Sequence, residues 1–102
     1  MRIIPDEDTK AYIRGITNAT ETAQIEQYFS RQQDLGHRVE MPVSRLLSDG
    51  IYEIRPGPHR FLFFYFKGHI IIVHAFRKKT RKAPENEIKK AVYKRTQWHE
   101  NG

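Results

Sequence analysis

Residues 51–79 read Ile51-Tyr52-Glu53-Ile54-Arg55-Pro56-Gly57-Pro58-His59-Arg60-Phe61-Leu62-Phe63-Phe64-Tyr65-Phe66-Lys67-Gly68-His69-Ile70-Ile71-Ile72-Val73-His74-Ala75-Phe76-Arg77-Lys78-Lys79. Three runs rich in aromatic and β-branched residues are separated by turn chemistry, which is the pattern of a β-meander. Ile51 to Arg55 alternates and follows Asp49-Gly50, a turn signal; Pro56-Gly57-Pro58 breaks it. Arg60 to Phe66 is the second strand, Lys67-Gly68 a two-residue turn, and His69 to Arg77 the third strand. Such a turn sets Phe66 opposite His69 and Phe61 opposite His74. If the Pro-Gly-Pro-His loop joins Arg55 directly to Arg60, one face carries Glu53, Arg55, Arg60, Leu62, Phe64, Val73, Ala75 and Arg77. The other carries Ile54, Phe61, Phe63, Tyr65, Ile70, Ile72, His74 and Phe76, and is expected to be a dry core for helices. The first face gathers three arginines at one end. A one-residue change in loop length would move the first strand to the opposite face.

Met1 to Ile4 is expected to be a short first strand. Pro5-Asp6-Glu7-Asp8 has the make-up of a helix start, with acids favoured by the helix dipole. Tyr12, Ile13 and Ile16 mark one face of a short helix that Gly15 ends. A second helix is predicted from Ala19 to Leu35, opened by Asn18 with Glu21 at capping-box spacing and closed by Gly36. Ile25, Tyr28, Phe29 and Gln32 share a face of it. Pro42 and Asp49-Gly50 bracket a short irregular piece containing Leu46 and Leu47. Pro84 opens a last helix with Ile88, Ala91, Val92, Arg95 and Trp98 along one stripe. The expected fold is therefore α+β. An N-terminal helical pair packs on a small antiparallel sheet, built of a short first strand plus a three-stranded meander. A C-terminal helix follows, all in one domain over residues 1–102.

The chain has no cysteine, which removes disulfides, thiol catalysis and cysteine zinc sites. Five histidines (His37, His59, His69, His74, His99) are scattered without metal-ligand spacing, so no metal is expected. The apolar run Phe61 to Phe66 is too short to span a bilayer, and the N-terminal residues lack a signal-peptide core. A cytoplasmic protein with no membrane contact is the expectation. The formal net charge is +6, unevenly placed. Arg77 to Arg95 holds nine Lys or Arg against two acids, Glu85 and Glu87, leaving the rest of the chain near neutral. A neutral body with one basic segment suits an anionic partner such as RNA, with a solvated basic helix as the plainer reading.

The set Ile51 to Arg55, Arg60, Tyr65-Phe66, Ile70 to His74, Ala75-Phe76-Arg77-Lys78-Lys79-Thr80-Arg81-Lys82-Ala83-Pro84, Glu87-Ile88 and Ala91 resembles the signature of the phage-derived HigB toxins of the RelE/ParE superfamily. The resemblance covers roughly residues 46–92. It implies a RelE-like fold and the toxin of a type II toxin–antitoxin module. The implied activity is ribosome-dependent cleavage of mRNA in the A site, which inhibits translation. The implied partners are mRNA and rRNA on the ribosome and a HigA-type helix-turn-helix antitoxin; no cofactor is implied and cleavage is expected to be metal-independent. Two other readings stay open: a non-catalytic or gyrase-directed relative, and a plain basic RNA-binding domain.

Cleavage by the RNA's own 2′-hydroxyl needs a base, cations for the phosphorane charge and an acid for the leaving oxygen. Arg55, Arg60 and Arg77 offer planar donors for a phosphate clamp, and Lys78 and Lys79 follow directly. These five are the candidate catalytic residues. Arg81, Lys82, Lys89 and Lys90 are candidate RNA-binding or steering charges. His74 falls on the predicted core face and reads as a hydrogen-bonded core residue ahead of a base. Where relatives place a tyrosine or an acid–histidine set at the start of the last helix, this chain has Pro84-Glu85-Asn86-Glu87, so the general base and acid stay unassigned.

Overall fold

In the computed structural model, which describes residues 1–81 and 84–101, eight elements follow in the order β1 (Arg2–Pro5), α1 (Glu7–Arg14), α2 (Ala19–Leu35), β2 (Ser44–Ser48), β3 (Ile51–Ile54), β4 (His59–Phe66), β5 (His69–Arg77) and α3 (Glu85–Asn101). The helix boundaries follow from local chemistry. Asp6 accepts the Thr9 amide at 2.8 Å and caps α1; Asn18 accepts the Glu21 amide at 3.0 Å and caps α2. Gly36 closes α2 with φ 65°, a conformation that a Cβ disfavours.

The five strands form one sheet in the order β1-β5-β4-β3-β2. The meander β3-β4-β5 is antiparallel, as expected. Two features depart from the sequence reading. The stretch read as irregular is a strand: β2 pairs antiparallel with β3 through the Asp49-Gly50 turn, where both residues have positive φ. And β1 lies parallel to β5, Arg2 opposite His69 and Pro5 opposite Ile72, so the sheet is mixed.

The β4–β5 register also departs from the expected one. Phe66 faces His69 across the Lys67-Gly68 turn as predicted, but Phe61 faces Ala75 and not His74. A bulge between Leu62 and Phe63 leaves Val73 as an extra residue on β5. Beyond it every β5 side chain is displaced by one position. His74 and Phe76 therefore stand opposite Leu62 and Arg60, on the same side of the sheet as those residues. Ala75 joins the opposite side, and Arg77 stands opposite His59.

Each face of the sheet carries its own core. Ile54, Phe61, Phe63, Ile70 and Ile72 pack under α1 and α2 with Ile25, the face assigned to the helical pair. Ile51, Leu62, Phe64, Ile71 and Val73 pack under α3 with Ile88 and Ala91. Both faces are covered, which explains why β4 and β5 read as nearly continuous apolar runs instead of alternating. Lys94 ties α3 to the start of α1, reaching Asp6 at 3.1 Å and Asp8 at 2.7 Å. Arg95 donates to the Asp49 carbonyl and ties α3 to the β2–β3 turn. No helix among the described residues is long and apolar enough to cross a membrane.

Candidate nucleic-acid interface and active site

The end of the sheet where β3 leaves and β4 enters is built around a buried carboxylate. Glu53 is 1% exposed. Arg45, opposite it on β2, donates Nε to Glu53 Oε1 at 2.9 Å, and Arg55 Nε lies 3.1 Å from the same oxygen. A carboxylate this buried needs such partners, because an unpaired charge there would be expelled or neutralised. Arg60 stands two residues from Leu62, the residue opposite Glu53, so it shares their face. Its Nη1 donates to the carbonyls of Gly57 at 2.7 Å and His59 at 2.8 Å, which stiffens the Pro-Gly-Pro-His loop. Burial pulls the Arg60 pKa down, the Glu53 charge pushes it up, and Arg55 and Arg45 pull it down again; the net direction is down. Guanidinium remains cationic at any physiological pH even so. Two arginines thus pair with one acid, and a third, Arg60, feels its charge.

Beside this cluster lies a cleft of about 1060 Å³ between the β2–β3 edge, the end of β5 and the start of α3. Arg45, Arg60, Lys78, Lys79 and Arg81 are cations on its wall, and Leu46, Leu47 and Phe76 supply apolar surface. Cations beside apolar surface are the chemistry that takes a phosphodiester with its base. Lys78, Lys79 and Arg81 are exposed, and the Lys78 amide is fixed to the Pro58 carbonyl at 2.8 Å, so the chain after β5 leaves over the cleft.

The candidate residues divide accordingly. Arg60, Lys78 and Lys79, three of the candidate catalytic residues, line the cleft together with Arg81, a candidate RNA-binding charge. Arg55 is on the expected face but sits behind Glu53, outside the cleft wall, with Nη1 directed at Met41 Sδ at 3.2 Å. Arg77 was expected beside Arg60, and the bulge overturns that. Arg77 belongs to the cleft wall, but its Nη1 reaches Glu21 on α2 at 3.3 Å, behind the sheet. Lys89 and Lys90 line a separate groove between α1 and α3, and Lys90 pairs with Glu87 at 3.3 Å. Lys82 lies outside the described residues. His74, expected in the core under the N-terminal helices, is half-buried on the α3 side and meets Glu87 at 2.7 Å.

Sequence reasoning missed Arg45 and the His74–Glu87 pair. The Asp49-Gly50 turn was a usable signal for the β2–β3 hairpin. Even so, an unbroken hairpin would have set Leu46 opposite Glu53; an irregularity between Leu46 and Ser48 brings Arg45 there instead. Behind the sheet, His59 is 3% exposed and fully engaged, its Nδ1 2.7 Å from the Tyr12 hydroxyl and its Nε2 2.6 Å from Glu21. Glu21 thereby joins His59 and Arg77 and fixes α2 to the sheet. Among the described residues no cluster of three or more His, Asp or Glu side chains is arranged to hold a metal ion.

Helices on both faces of a mixed five-stranded sheet, with a basic cleft at its end, define a protein of the RelE fold. The isolated E. coli RelE toxin in its P21 crystal form superposes with a TM-score of 0.61, over 88% of this chain and 97% of that one, at 13% identity. No curated protein matches the sequence. The chain belongs to the phage-derived Gp49-like family, whose model matches residues 12–96.

Proposed function

We propose that this protein is the toxin of a type II toxin–antitoxin module, of HigB type. In this reading it inhibits translation by cleaving mRNA in the ribosomal A site, without a cofactor. Family membership and the RelE fold support the toxin assignment. The observation that carries cleavage is the cleft in which Arg45, Arg60, Lys78 and Lys79 meet, since pre-aimed cations are what a developing phosphorane charge requires. Arg60 is the residue chosen for the phosphate, because its rotamer is locked by two backbone carbonyls. Arg55 acts through Glu53, holding the hub from behind. Arg77, Arg81, Lys89 and Lys90 draw the message and rRNA toward the cleft by charge. Positioning by the ribosome supplies a large share of the rate. The partner that silences the protein is a helix-turn-helix antitoxin of HigA type.

Inducing the protein in a bacterial host is expected to stop growth, and co-expressing the helix-turn-helix protein encoded beside it to restore growth. Arg60→Ala, shown to be folded by circular dichroism, is expected to be harmless. A folded Arg60→Ala protein that still arrests growth would remove the cleft from the account.

A further inference from the structure

The cleft supplies cations in plenty, but a 2′-hydroxyl attack also needs a proton acceptor. Among the described residues three acids line it, Glu53, Glu85 and Glu87. Glu53 is buried and its Oε1 is shared by two guanidinium groups, so it cannot reach a substrate hydroxyl. Glu85 is exposed in the first turn of α3, and among the described residues no hydrogen bond or ion pair fixes it. Glu87 differs from both. Its side chain is 23% exposed and its Oε2 lies 2.7 Å from His74 Nε2. Among the described residues its Oε1 is met only by Lys90 at 3.3 Å, a lysine whose side chain is 61% exposed.

His74 is itself held on two sides. Its ring stacks on Phe76 at 5.8 Å and 26°, and Phe76 is part of the cleft wall. Its other side borders the groove of about 840 Å³ between α1 and α3. Glu87 therefore stands in the wall between two openings. Glu87 lines the cleft, and its Oε2 is bound to an imidazole that reaches solvent through the second groove.

We propose that Glu87 is the proton acceptor of the cleft and that His74 is the positioning residue that holds it; this rests on the ribonuclease reading above. The Nε2–H of His74 donates to Oε2 and fixes the carboxylate plane, leaving Oε1 for the substrate. The 2′-O–H bond breaks, the proton passes to Glu87, and the oxygen electron pair forms the 2′-O–P bond. The P–O5′ bond breaks with its pair on O5′, which takes a proton from the ammonium group of Lys78 or Lys79. The products are a 2′,3′-cyclic phosphate end and a 5′-hydroxyl end. Glu87 then returns its proton to solvent, from which the lysine is reprotonated.

The groups facing the pair are Lys90, Lys89 and Lys94 on α3 and Asp8 on α1. Burial pushes the Glu87 carboxyl up, but the hydrogen bonds and charges of His74 and Lys90 outweigh it and hold the group below the ordinary glutamate value. Glu87 is therefore ionised, and ready to accept, across the physiological range.

The test is single-turnover cleavage of a short mRNA on programmed ribosomes, followed against pH, with the intact protein and three variants. Glu87→Gln is expected to lose on the order of 10²–10⁴-fold in rate, the share of a general base, while keeping its fold and its affinity for RNA. His74→Ala is expected to lose less and to move the acid limb of the profile upward, because the partner that lowers the Glu87 pKa is gone. His74→Gln, which retains an N–H donor, is expected to recover much of the rate. If the unaltered protein cleaves and Glu87→Gln stays within about threefold of it, the assignment is overturned and the ribonuclease reading survives. If His74→Ala lowers the rate without moving the acid limb, the positioning role fails. An unaltered protein that cuts nothing on ribosomes overturns both readings.

Discussion

Arg45 Nε donates to Glu53 Oε1 at 2.9 Å across the β2–β3 pair, one side chain 45% exposed and the other 2%. The guanidinium at the cleft rim is thus anchored on a carboxylate in the interior, so the shape of the cleft depends on the stability of the sheet. Glu53→Ala removes the shared counter-charge of Arg45 and Arg55 and leaves Arg60 without its attractive neighbour. The expected loss is about 3 kcal/mol, the low end for breaking a buried pair since Arg45 is half in water. Urea denaturation of the two proteins checks it, and a loss below half a kcal/mol would contradict the hub.

Tyr12 and His59 make a second prediction. The Tyr12 hydroxyl lies 2.7 Å from a histidine nitrogen that water barely reaches. Tyr12→Phe leaves that nitrogen unpaired, at a cost of about 1–3 kcal/mol in the same denaturation experiment. Because the pair is behind the sheet, cleavage by the folded variant is expected to match that of the unaltered protein.

Acid should act through Glu21. The His59 hydrogen bond lowers its pKa, burial raises it, and Arg77 lowers it again; the net direction is down. A carboxyl depressed in the folded state contributes stability above its unfolded pKa and loses it as pH falls through the folded one. Stability is expected to decline below the ordinary glutamate value of 4.5. Glu21→Gln should be less stable at neutral pH and show a shallower decline in that acid window. Equal slopes for the two proteins would rule Glu21 out as a source of the acid limb.

Lys78 and Lys79 are exposed on the cleft, whereas Lys89 faces the second groove. Binding of single-stranded RNA releases counterions in proportion to the phosphates neutralised. Lys78→Ala and Lys79→Ala are each expected to reduce the slope of log affinity against log salt by about 0.7. Lys89→Ala should lower affinity through the general field with little change in slope. Titrations at several salt concentrations decide this, and a larger slope change for Lys89→Ala would move the binding face.

Much of the fold was legible because its signals are local. The bounds of α2 follow from Asn18 and Gly36, which cap it regardless of what it packs on. The hairpin at Lys67-Gly68 follows from a turn whose two positive φ values fix the pairing beside it. What was not legible depends on interruptions of that pairing. Val73 carries no chemical mark of a bulge, yet it turns the Arg77 guanidinium toward Glu21 on α2 and His74 to the α3 side. The parallel pairing of β1 with β5 joins residues more than sixty positions apart, and four residues without alternation do not announce it. The site divided the same way. Arg60 and the Lys78-Lys79 pair stood out by charge beside an apolar run. Arg45 and Glu87 looked like ordinary surface residues until the sheet and α3 brought them to Glu53 and His74.

The proposed function is cleavage of messenger RNA on the ribosome by this cleft. It is tested most directly by mapping 5′ ends of cellular mRNA a few minutes after induction, with Arg60→Ala as the folded control. New 5′-hydroxyl ends are expected inside translated coding regions, lost when initiation is blocked and absent with Arg60→Ala. Intact messages in cells that the unaltered protein has already arrested would contradict it.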